Sequence, residues 1–266
     1  MRPEKSRHYH ASGASISNRM PLSLSDFDYD LPAELIAQFP LPERTASRLL
    51  VAGGAHLEDR RFTDLPGLLR EGDLLVFNDT RVLRARLHGL KDSGGRVEVL
   101  LERPVGRHEA LAQIRASHAP WPGSRLLLEG ALEVDVVARE GAFFLLRFPA
   151  SDDLVTLLER HGKLPLPPYI QRPAEISDEA RYQTVYAQAH GSVAAPTAGL
   201  HFDRPLLDTL RDKGVAFAWL TLLQTRGVVN TGRPSASRAP AIARANAPVR
   251  LMQVMSVSAC VAYIIG

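Results

Sequence analysis

The chain of 266 residues contains a single cysteine, Cys260, so it can form neither an internal disulfide nor a zinc site built from cysteines. Its longest strongly apolar run, residues 251–265, is shorter than the roughly 20 residues that a membrane-spanning helix needs. The sequence also lacks a Walker loop, a Gly-x-Gly-x-x-Gly string and paired histidines at metal-ligand spacing. These absences predict a cytoplasmic protein with no membrane span and no metal site, and they disfavour a Rossmann methyltransferase or dehydrogenase.

Acidic residues are missing from one end, because residues 223–266 carry five arginines and no acid. Residues 1–21 carry a charge of +3, so the net charge of +3 leaves −5 on residues 22–222. Net charge therefore gives no general argument for nucleic-acid binding. Residues 81–115 differ, since they carry eight basic side chains against four acids. RNA contacts are expected there, although solvated strand faces explain the patch nearly as well.

Apolar patterning predicts short helices and two types of strand. Helices are predicted at 32–38, after the capping pair at 63–64, at 152–160 with Ser151 as cap, and at 204–213 with Asp203 as cap. Buried strands are predicted at 74–77 and 215–222. Shorter strands separated by glycine turns are predicted at 82–87, 96–102, 111–115, 125–128, 132–137 and 143–148.

The order of these segments predicts an α/β fold interrupted by an insertion of short strands, either a small antiparallel β-barrel or a sandwich. Residues 22–80 and 150–222 would form one discontinuous α/β domain, and residues 81–149 the inserted β-barrel-like domain. Residues 1–21 lack apolar periodicity and are expected to be a disordered extension, a mis-assigned start or a presequence. Residues 223–266 are expected to be a basic and apolar tail outside the fold.

The strongest local candidate for a site is the string Ser-Val-Ala-Ala-Pro-Thr-Ala-Gly-Leu-His-Phe at 192–202, directly before the helix capped by Asp203. Small residues allow the backbone to approach a ligand closely, and a helix N-terminus offers free N–H donors. His201 is the one titratable side chain in this string and is a candidate acid or base. The alternative is a tight connection with a hydrogen-bonded histidine.

A second candidate follows the predicted strand at 74–77. Asn78 and Thr80 can make hydrogen bonds, while Asp79 and Arg81 supply opposite charges at a strand end, where α/β sites commonly lie. An Asx turn with a surface ion pair is the alternative. The glycine turn at 91–96, followed by Glu98, is a weaker phosphate or ribose candidate, and a plain hairpin explains it better.

A third candidate combines the proline strip at 164–168 with three tyrosines. Tyr169, Tyr182 and Tyr186 are of a type that stacks on bases or faces a cation. Ordinary packing is the alternative reading of the same residues.

Several strings together resemble one family. They are Asp-Phe-Asp-Tyr-Asp-Leu-Pro at 26–32, Pro-Glu-Arg at 42–44, Gly-Asp-Leu-Leu-Val-Phe-Asn-Asp-Thr-Arg-Val at 72–82, Ala-Arg-Leu at 85–87, Ile-Arg-Ala-Ser at 114–117, Leu-Pro-Leu-Pro-Pro-Tyr-Ile at 164–170, Tyr-Gln-Thr-Val-Tyr at 182–186 and Val-Ala-Ala-Pro-Thr-Ala-Gly-Leu-His-Phe at 193–202. Over residues 22–222 the chain resembles the S-adenosylmethionine:tRNA ribosyltransferase-isomerase family of queuosine biosynthesis. The resemblance implies the same α/β fold with an inserted β-barrel.

The resemblance also implies a reaction and its partners. The ribosyl part of S-adenosylmethionine moves onto 7-aminomethyl-7-deazaguanine at the wobble position of a tRNA with a GUN-type anticodon. Epoxyqueuosine forms, while adenine and methionine leave. S-adenosylmethionine is the co-substrate, and no further cofactor and no metal are implied.

Such chemistry needs an acid or base, charge partners for a sulfonium, stacking surfaces and phosphate contacts. The residues assigned to these roles are as follows. Catalytic candidates are His201, Asp79 and Glu98; residues expected to shape the pocket or bind substrate are Asn78, Thr80, Pro196, Thr197, Ala198 and Gly199; stacking candidates are Tyr169, Tyr182 and Tyr186; tRNA phosphate contacts are expected at Arg81, Arg86 and Arg115.

The resemblance stops after residue 222. The family continues with His-Val-Gly-x-Gly-Thr-Phe, where this chain has Leu-Gln-Thr-Arg-Gly-Val at 223–228, and three later family motifs have no counterpart. The family's C-terminal third is therefore expected to be missing or replaced, with the C-terminal part of the α/β domain truncated. Three readings stay open: an active enzyme, a non-catalytic RNA-binding remnant, and a truncated product that does not fold.

Overall fold

The computed structural model describes residues 23–53, 56–224 and 229–230. The predictions for residues 1–21 and for nearly all of 223–266 lie outside the described residues. The chain divides into two compact units, Met1–Leu35 and Ile36–Gly266. In the first unit, 3₁₀ turns form at Leu24–Phe27 and Ala33–Leu35. The helix predicted over 32–38 was wrong, because the turn is three residues long and buries none of them.

The second unit begins with a 3₁₀ turn at Arg44–Ala46 and an antiparallel hairpin that the sequence reasoning missed. The elements before the barrel are β1 (Arg48–Gly53), β2 (His56–Arg61), a 3₁₀ turn at Phe62–Asp64, α1 (Leu65–Leu68), β3 (Leu74–Asn78) and β4 (Thr80–Val82). Asp64 occupies the N-cap of α1, and its carboxylate accepts a hydrogen bond from the Arg61 N–H (2.9 Å). The short helix predicted after 63–64 and the strand predicted at 74–77 are both confirmed.

Six antiparallel strands close into a barrel, so the barrel alternative is confirmed over the sandwich. The strands are β5 (Arg86–Lys91), β6 (Arg96–Pro104), β7 (Glu109–Ala116), β8 (Arg125–Leu128), β9 (Leu132–Glu140) and β10 (Phe143–Arg147), in the order β10-β7-β6-β5-β8-β9. Inward positions pair across strands, as Leu87 does with Val99, and both side chains are fully buried. Period-2 alternation fills the barrel with apolar side chains and keeps the charged ones outside.

The strand predicted over 82–87 was wrong, because β4 ends at Val82 and β5 begins at Arg86. Between them the Ala85 N–H donates to the Leu83 carbonyl (2.8 Å), and the Leu83 N–H donates to the Ser192 carbonyl (2.9 Å). The chain turns here as it passes from the α/β part into the barrel. Leu83 and Ala85 are buried in the barrel's own core cluster, so alternation continues although the strand does not.

The elements after the barrel return the chain to the α/β part. They are α2 (Leu154–His161), α3 (Ile176–Arg181), β11 (Ala189–Ser192), a 3₁₀ turn at Thr197–His201, α4 (Arg204–Asp212), β12 (Ala216–Leu220), β13 (Leu223–Gln224) and β14 (Val229–Asn230). The predicted cap of α2 was wrong: Asp153, and not Ser151, accepts the Thr156 N–H (2.8 Å). Helix α2 packs Leu154, Leu157 and Leu158 into the core cluster of the barrel.

Two parallel strand pairs, β3 with β12 and β4 with β11, form the sheet part of the α/β region. Helix α4 begins at Asp203, which accepts the Leu206 N–H (2.9 Å), and it ends before Gly214 at φ +84°. Both limits follow the prediction. The strand predicted over 215–222 is shorter, because Asn78 binds the backbone of Leu222 and takes it out of the ladder. The predicted α/β fold with an inserted antiparallel barrel is confirmed.

Candidate functional site

The site begins where the parallel strands β3 and β12 end. Thr221 Oγ1 donates to Asp79 Oδ1 (2.7 Å), and the Asp79 N–H donates to the Leu220 carbonyl (2.9 Å). Asn78 Oδ1 accepts the N–H groups of both Thr80 (3.2 Å) and Leu222 (3.1 Å). These bonds fix the backbone at the carboxyl edge of the strand pair, which is the edge where α/β proteins place ligands.

Asp79 is buried rather than part of a surface ion pair, with 3% of its surface exposed. Its backbone carbonyl accepts the N–H groups of Gln188 (2.8 Å) and Ala189 (3.1 Å), which ties the end of β3 to the start of β11. The Asx-turn alternative was correct for the neighbouring residue Asn78, whose side chain caps Thr80. Arg81 lies on β4 and is exposed. A buried carboxylate at a strand end places negative charge inside this region.

Two buried hydroxyls accompany that carboxylate. Thr80 and Thr184 are 0% and 5% exposed, and within the part of the chain that the structure describes their Oγ1 atoms have no hydrogen-bond partner. Buried hydroxyls normally find a partner, so these two are polar groups that a ligand can satisfy.

The string at 193–202 forms a tight bend around the 3₁₀ turn Thr197–His201, which Pro196 precedes. The Gly199 N–H donates to the Pro196 carbonyl (2.7 Å), while Thr197 and Ala198 are half-buried. A Cβ at Gly199 would lie 2.8 Å from Thr184 Cγ2 and closer still to the Tyr186 hydroxyl. Only glycine therefore allows the bend to approach the segment that carries Thr184 and Tyr186.

Tyr186 connects the bend to an aromatic cluster at the strand ends. Its ring centroid lies 5.0 Å from that of Phe77 and 5.0 Å from that of Trp219. Burial raises the pKa of Tyr186, and the charge of Asp79 adds to this while that of Arg44 opposes it. The phenol is therefore protonated at neutral pH. Trp219 is half-buried, so part of its ring faces solvent.

His201 is the last residue of the 3₁₀ turn in the bend. Its Nδ1 lies 3.0 Å from Ser47 Oγ, and its ring lies 5.3 Å from that of Phe62. Burial lowers the pKa of His201, and the charges of Arg181 and Arg44 act in the same direction, while a hydrogen bond with the backbone of Arg44 opposes them. The imidazole is therefore neutral at pH 7. Its contacts match the hydrogen-bonded histidine that was the alternative, and its catalytic role stays a prediction.

The residue that sequence reasoning missed is Arg44. Its guanidinium donates to four backbone carbonyls, those of Ala180 (2.8 Å), Arg181 (3.4 Å), Gln183 (2.9 Å) and Leu200 (3.0 Å). Burial is the main cause that lowers the pKa of Arg44, and Arg181 adds to it. Arg44 joins the end of α3 to the bend. The only signal in the sequence was its place in the Pro-Glu-Arg string at 42–44.

Other predicted site residues lie elsewhere. Glu98 is on the barrel strand β6, 3.3 Å from Arg86 Nε and 3.9 Å from Arg115 Nη1. Arg86 also donates to the Leu166 carbonyl (3.1 Å), which joins the barrel to the following connection. Tyr182 is buried in a cluster with Val82, Leu164 and Leu166, and Tyr169 is partly exposed at 36%. The glycine turn at 91–96, which was the weaker phosphate or ribose candidate, is a plain hairpin between β5 and β6.

Within residues 23–53, 56–224 and 229–230, no group of three or more His, Cys, Asp or Glu is placed to hold a metal ion. None of the described helices is both long and apolar enough to cross a membrane.

The fold and site define an α/β protein whose polar strand ends meet a glycine-containing bend, with a small barrel inserted between its parallel strands. Residues 24–244 match the family described as "Queuosine biosynthesis protein". The chain belongs to that family, which confirms the resemblance on which the sequence interpretation rested.

Curated relatives of the chain agree with this family assignment. The chain is 68% identical over 203 residues to the S-adenosylmethionine:tRNA ribosyltransferase-isomerase of Azoarcus sp. (strain BH72), covering 76% of this chain and 59% of that protein. It is 66% identical to the protein of the same name from Aromatoleum aromaticum, with the same coverage. A crystal structure of an S-adenosylmethionine tRNA ribosyltransferase from Thermotoga maritima is 30% identical, covers 75% of this chain and 58% of that one, and has a TM-score of 0.31. The chain thus spans about 59% of the length of these two curated relatives.

Proposed function

We propose that this chain carries the S-adenosylmethionine site of a tRNA ribosyltransferase-isomerase. In the proposed reaction the ribosyl unit of S-adenosylmethionine passes to the aminomethyl group of 7-aminomethyl-7-deazaguanine at the tRNA wobble position. The products are epoxyqueuosine in the tRNA, free adenine and free methionine. The observation that carries the proposal is the meeting of Asp79, Tyr186 and the bend at Gly199 beside one strand end, in a chain of this family.

The sulfonium of S-adenosylmethionine needs negative charge and aromatic faces close to it. Asp79 supplies a buried carboxylate, and the rings of Tyr186 and Trp219 lie at the same strand ends. A cation over an aromatic face gains about 0.5–2 kcal/mol, more when it is desolvated. Because Tyr186 is neutral, it adds no second negative charge and its hydroxyl is able to donate a hydrogen bond.

Proton transfer is assigned to the groups around the bend. The sulfonium acidifies the adjacent C5′–H, so a neutral base nearby is able to remove that proton, and the departing adenine needs a donor. We assign His201 as the acid or base, because its lowered pKa leaves the imidazole unprotonated at pH 7. The hydroxyls of Thr80 and Thr184 are the donors available to adenine.

The barrel is assigned to the tRNA. The side chain of Arg115 is 89% exposed. It lies near Arg86, because both guanidinium groups contact the carboxylate of Glu98. In this assignment Glu98 orients the two guanidinium groups. Arg81, the one exposed residue of the otherwise buried strand β4, is assigned to the same tRNA contact. The proposed partner is a tRNA with a GUN-type anticodon, the proposed location is the cytoplasm, and the proposed reaction uses no cofactor beyond S-adenosylmethionine and no metal.

The test is adenine release. The full chain is incubated with S-adenosylmethionine and a tRNA that carries 7-aminomethyl-7-deazaguanine, and adenine is measured by chromatography. We expect release by the unchanged chain and at least about 100-fold less from Asp79→Asn. Asp59→Asn is the matched control, because Asp59 is 68% exposed on β2 and pairs only at the surface with Arg48. Equal rates for the two variants would remove Asp79 from the site.

The same assay separates the alternative function. A chain that binds the tRNA with steep salt dependence but releases no adenine is a non-catalytic RNA-binding remnant. That result would overturn the proposed reaction and leave the family assignment intact.

A further inference from the structure

The barrel carries one large aromatic side chain on its surface. Trp121 is 80% exposed, in the loop of residues 117–124 between β7 and β8. The chain's other tryptophan, Trp219, is packed against Phe77 and Tyr186. Burying an indole stabilises a protein or a complex more than burying most other side chains. An exposed tryptophan therefore indicates a binding contact when the residues around it favour a particular ligand.

Hydrogen bonds fix the backbone of the loop that carries Trp121. Pro120 before it is buried, and Pro122 follows it. Ser124 donates twice to the Trp121 carbonyl, from Oγ (2.6 Å) and from its N–H (3.0 Å). Gly123, at φ +90°, donates its N–H to the Val136 carbonyl (2.7 Å) on β9. The side chain is therefore presented on a rigid turn, and a contact with it pays little for ordering the loop.

Basic side chains lie on the adjoining outer face. Lys91 Nζ donates to the His118 carbonyl (2.9 Å), which places the hairpin between β5 and β6 beside the tryptophan loop. Arg96 is exposed at the start of β6, and Arg115, 89% exposed, lies just before the loop on β7. With Arg86 and Arg103, these make five basic groups on β5 to β7 and the hairpin between β5 and β6, against the acids Asp92, Glu98 and Glu109 and the buried Glu102.

This face runs from the site toward the far end of the barrel. Arg86 is joined to Leu166 at the near end of β5, and Lys91 lies at its other end, about 17 Å away at the rise of an extended strand. A ligand that contacts both the bend and Trp121 must therefore be long and negatively charged, with a flat group to stack. A structured RNA with unpaired bases has all three properties.

We propose that Trp121 is an RNA-binding residue on which an unpaired base of the tRNA stacks, while Arg96 and Arg115, neighbours on β6 and β7, contact adjacent phosphates. The proposal rests on the proposed function for the identity of the RNA. Stacking on an aromatic ring tolerates any base, so this contact contributes affinity and orientation rather than choice of sequence.

The experiment measures binding of the full chain to a fluorescently labelled anticodon stem-loop RNA by anisotropy. Trp121→Ala is expected to raise the Kd at least about fivefold, since one stacked base contributes about 1–3 kcal/mol. Trp121→Phe keeps an aromatic face and is expected to recover most of the affinity. Ile176→Ala is the matched control, because Ile176 is 92% exposed on α3, outside the barrel strands, and the Kd of this variant is expected to be unchanged.

Two readouts separate stacking from charge and from a general structural effect. The slope of log Kd against log salt is expected to be unchanged in Trp121→Ala but to fall by about 0.7–0.9 in Arg96→Gln, as for one lost phosphate contact. Intrinsic tryptophan fluorescence is expected to be quenched more strongly by the RNA in the unchanged chain than in Trp121→Ala, in which only Trp219 remains.

Three results would overturn the proposal. These are an unchanged Kd for Trp121→Ala, an equal loss in Ile176→Ala, and a sedimentation mass that depends on Trp121, which would make the loop a protein–protein contact. Failure of the proposed reaction is read separately. A chain that releases no adenine but binds the stem-loop through Trp121 refutes the reaction and supports this site.

Discussion

Substitution of Gly199 by alanine tests the central contact of the site. The residue is buried in the 3₁₀ turn Thr197–His201, and its φ is not in the left-handed region, so alanine adds no backbone strain. The added methyl group would instead lie 2.8 Å from Thr184 Cγ2 and closer to the Tyr186 hydroxyl, whereas ordinary contacts begin near 3.4 Å. Alanine at this position would therefore disturb the structure only through the steric clash of its methyl group.

The size of the effect follows from how little Tyr186 can move. Its ring is packed against Phe77 and Trp219 at centroid distances of 5.0 Å, and it is 8% exposed. Overpacking of such a region destabilises a protein by about 1–3 kcal/mol. Tyr186→Phe removes the closest atom, so the double variant should regain part of the loss, with a coupling free energy of about 0.5–3 kcal/mol. Recovery stays partial because the Thr184 methyl group is still close.

The assay is urea denaturation followed by circular dichroism, on the unchanged chain, the two single variants and the double variant. Gly67→Ala is the control, because Gly67 lies in α1 with nothing within 4 Å of an added Cβ. That variant should be as stable as the unchanged chain or more stable by up to about 1 kcal/mol. If Gly199→Ala unfolds at the same urea concentration as Gly67→Ala, or if Tyr186→Phe recovers nothing, the reasoning about the bend is refuted.

Three further predictions follow from ionisable side chains that are wholly or partly buried. Arg44→Lys should lower the free energy of unfolding by about 2 kcal/mol or more in urea melts, because one ammonium cannot replace a fork bonded to four carbonyls; an unchanged melt would refute this. Asp178→Asn should lower the free energy of unfolding by about 3–5 kcal/mol, which would show as a lower melting temperature. The reason is that Arg172 donates to both carboxylate oxygens of Asp178 (2.6 and 2.9 Å), and the side chains of Arg172 and Asp178 are only 14% and 5% exposed. The hydrogen bonds from Arg172 hold the pKa of Asp178 below its usual range, so this contribution is present above about pH 4 and is lost as the pH falls further. For His201 the folded-state pKa is also lowered, so its contribution is fully present above its unfolded pKa of 6.5 and is lost below it; melts at pH 7.5 and 5.5 should differ less in His201→Gln than in the unchanged chain.

The barrel could be predicted from the sequence because the patterns that indicate its strands and turns are local. Gly94, Gly123, Gly130 and Gly141 all adopt positive φ, so the glycine turns that were used to separate the strands are turns in the structure. Between them the inward positions alternate along each strand, and four of the six strand pairs in the barrel join consecutive strands. These patterns depend on residues within about twenty positions of one another, which a single sequence displays directly. The β5–β8 and β7–β10 pairs, which close the barrel, join residues much farther apart in the chain.

The candidate site could be predicted only in part from the sequence, because its contacts join residues that are far apart in the chain. Asp79, Tyr186 and the bend at 193–202 were selected, but the burial of Asp79 depends on Thr221, 142 residues later, and on Gln188. Asp79 therefore resembled a surface residue in the sequence. The role of Arg44 depends on four carbonyls at least 136 residues away, and backbone carbonyls leave no trace in side-chain patterns.

These long separations share one cause, the insertion of the barrel into the α/β part. Strand β3 precedes the barrel and pairs with β12, which follows it, so the contacts between these two strands and their ends span the whole insertion. Each such contact must offset the entropy of closing a loop of about 140 residues, although that entropy grows only slowly with length. The compact barrel reduces this entropy further, because strands β5 to β10 hold the two ends of the insertion in place and Arg86 fixes one of them to Leu166. On this argument the barrel does more than present a basic surface: its closure brings Asn78, Asp79 and the bend within reach of each other.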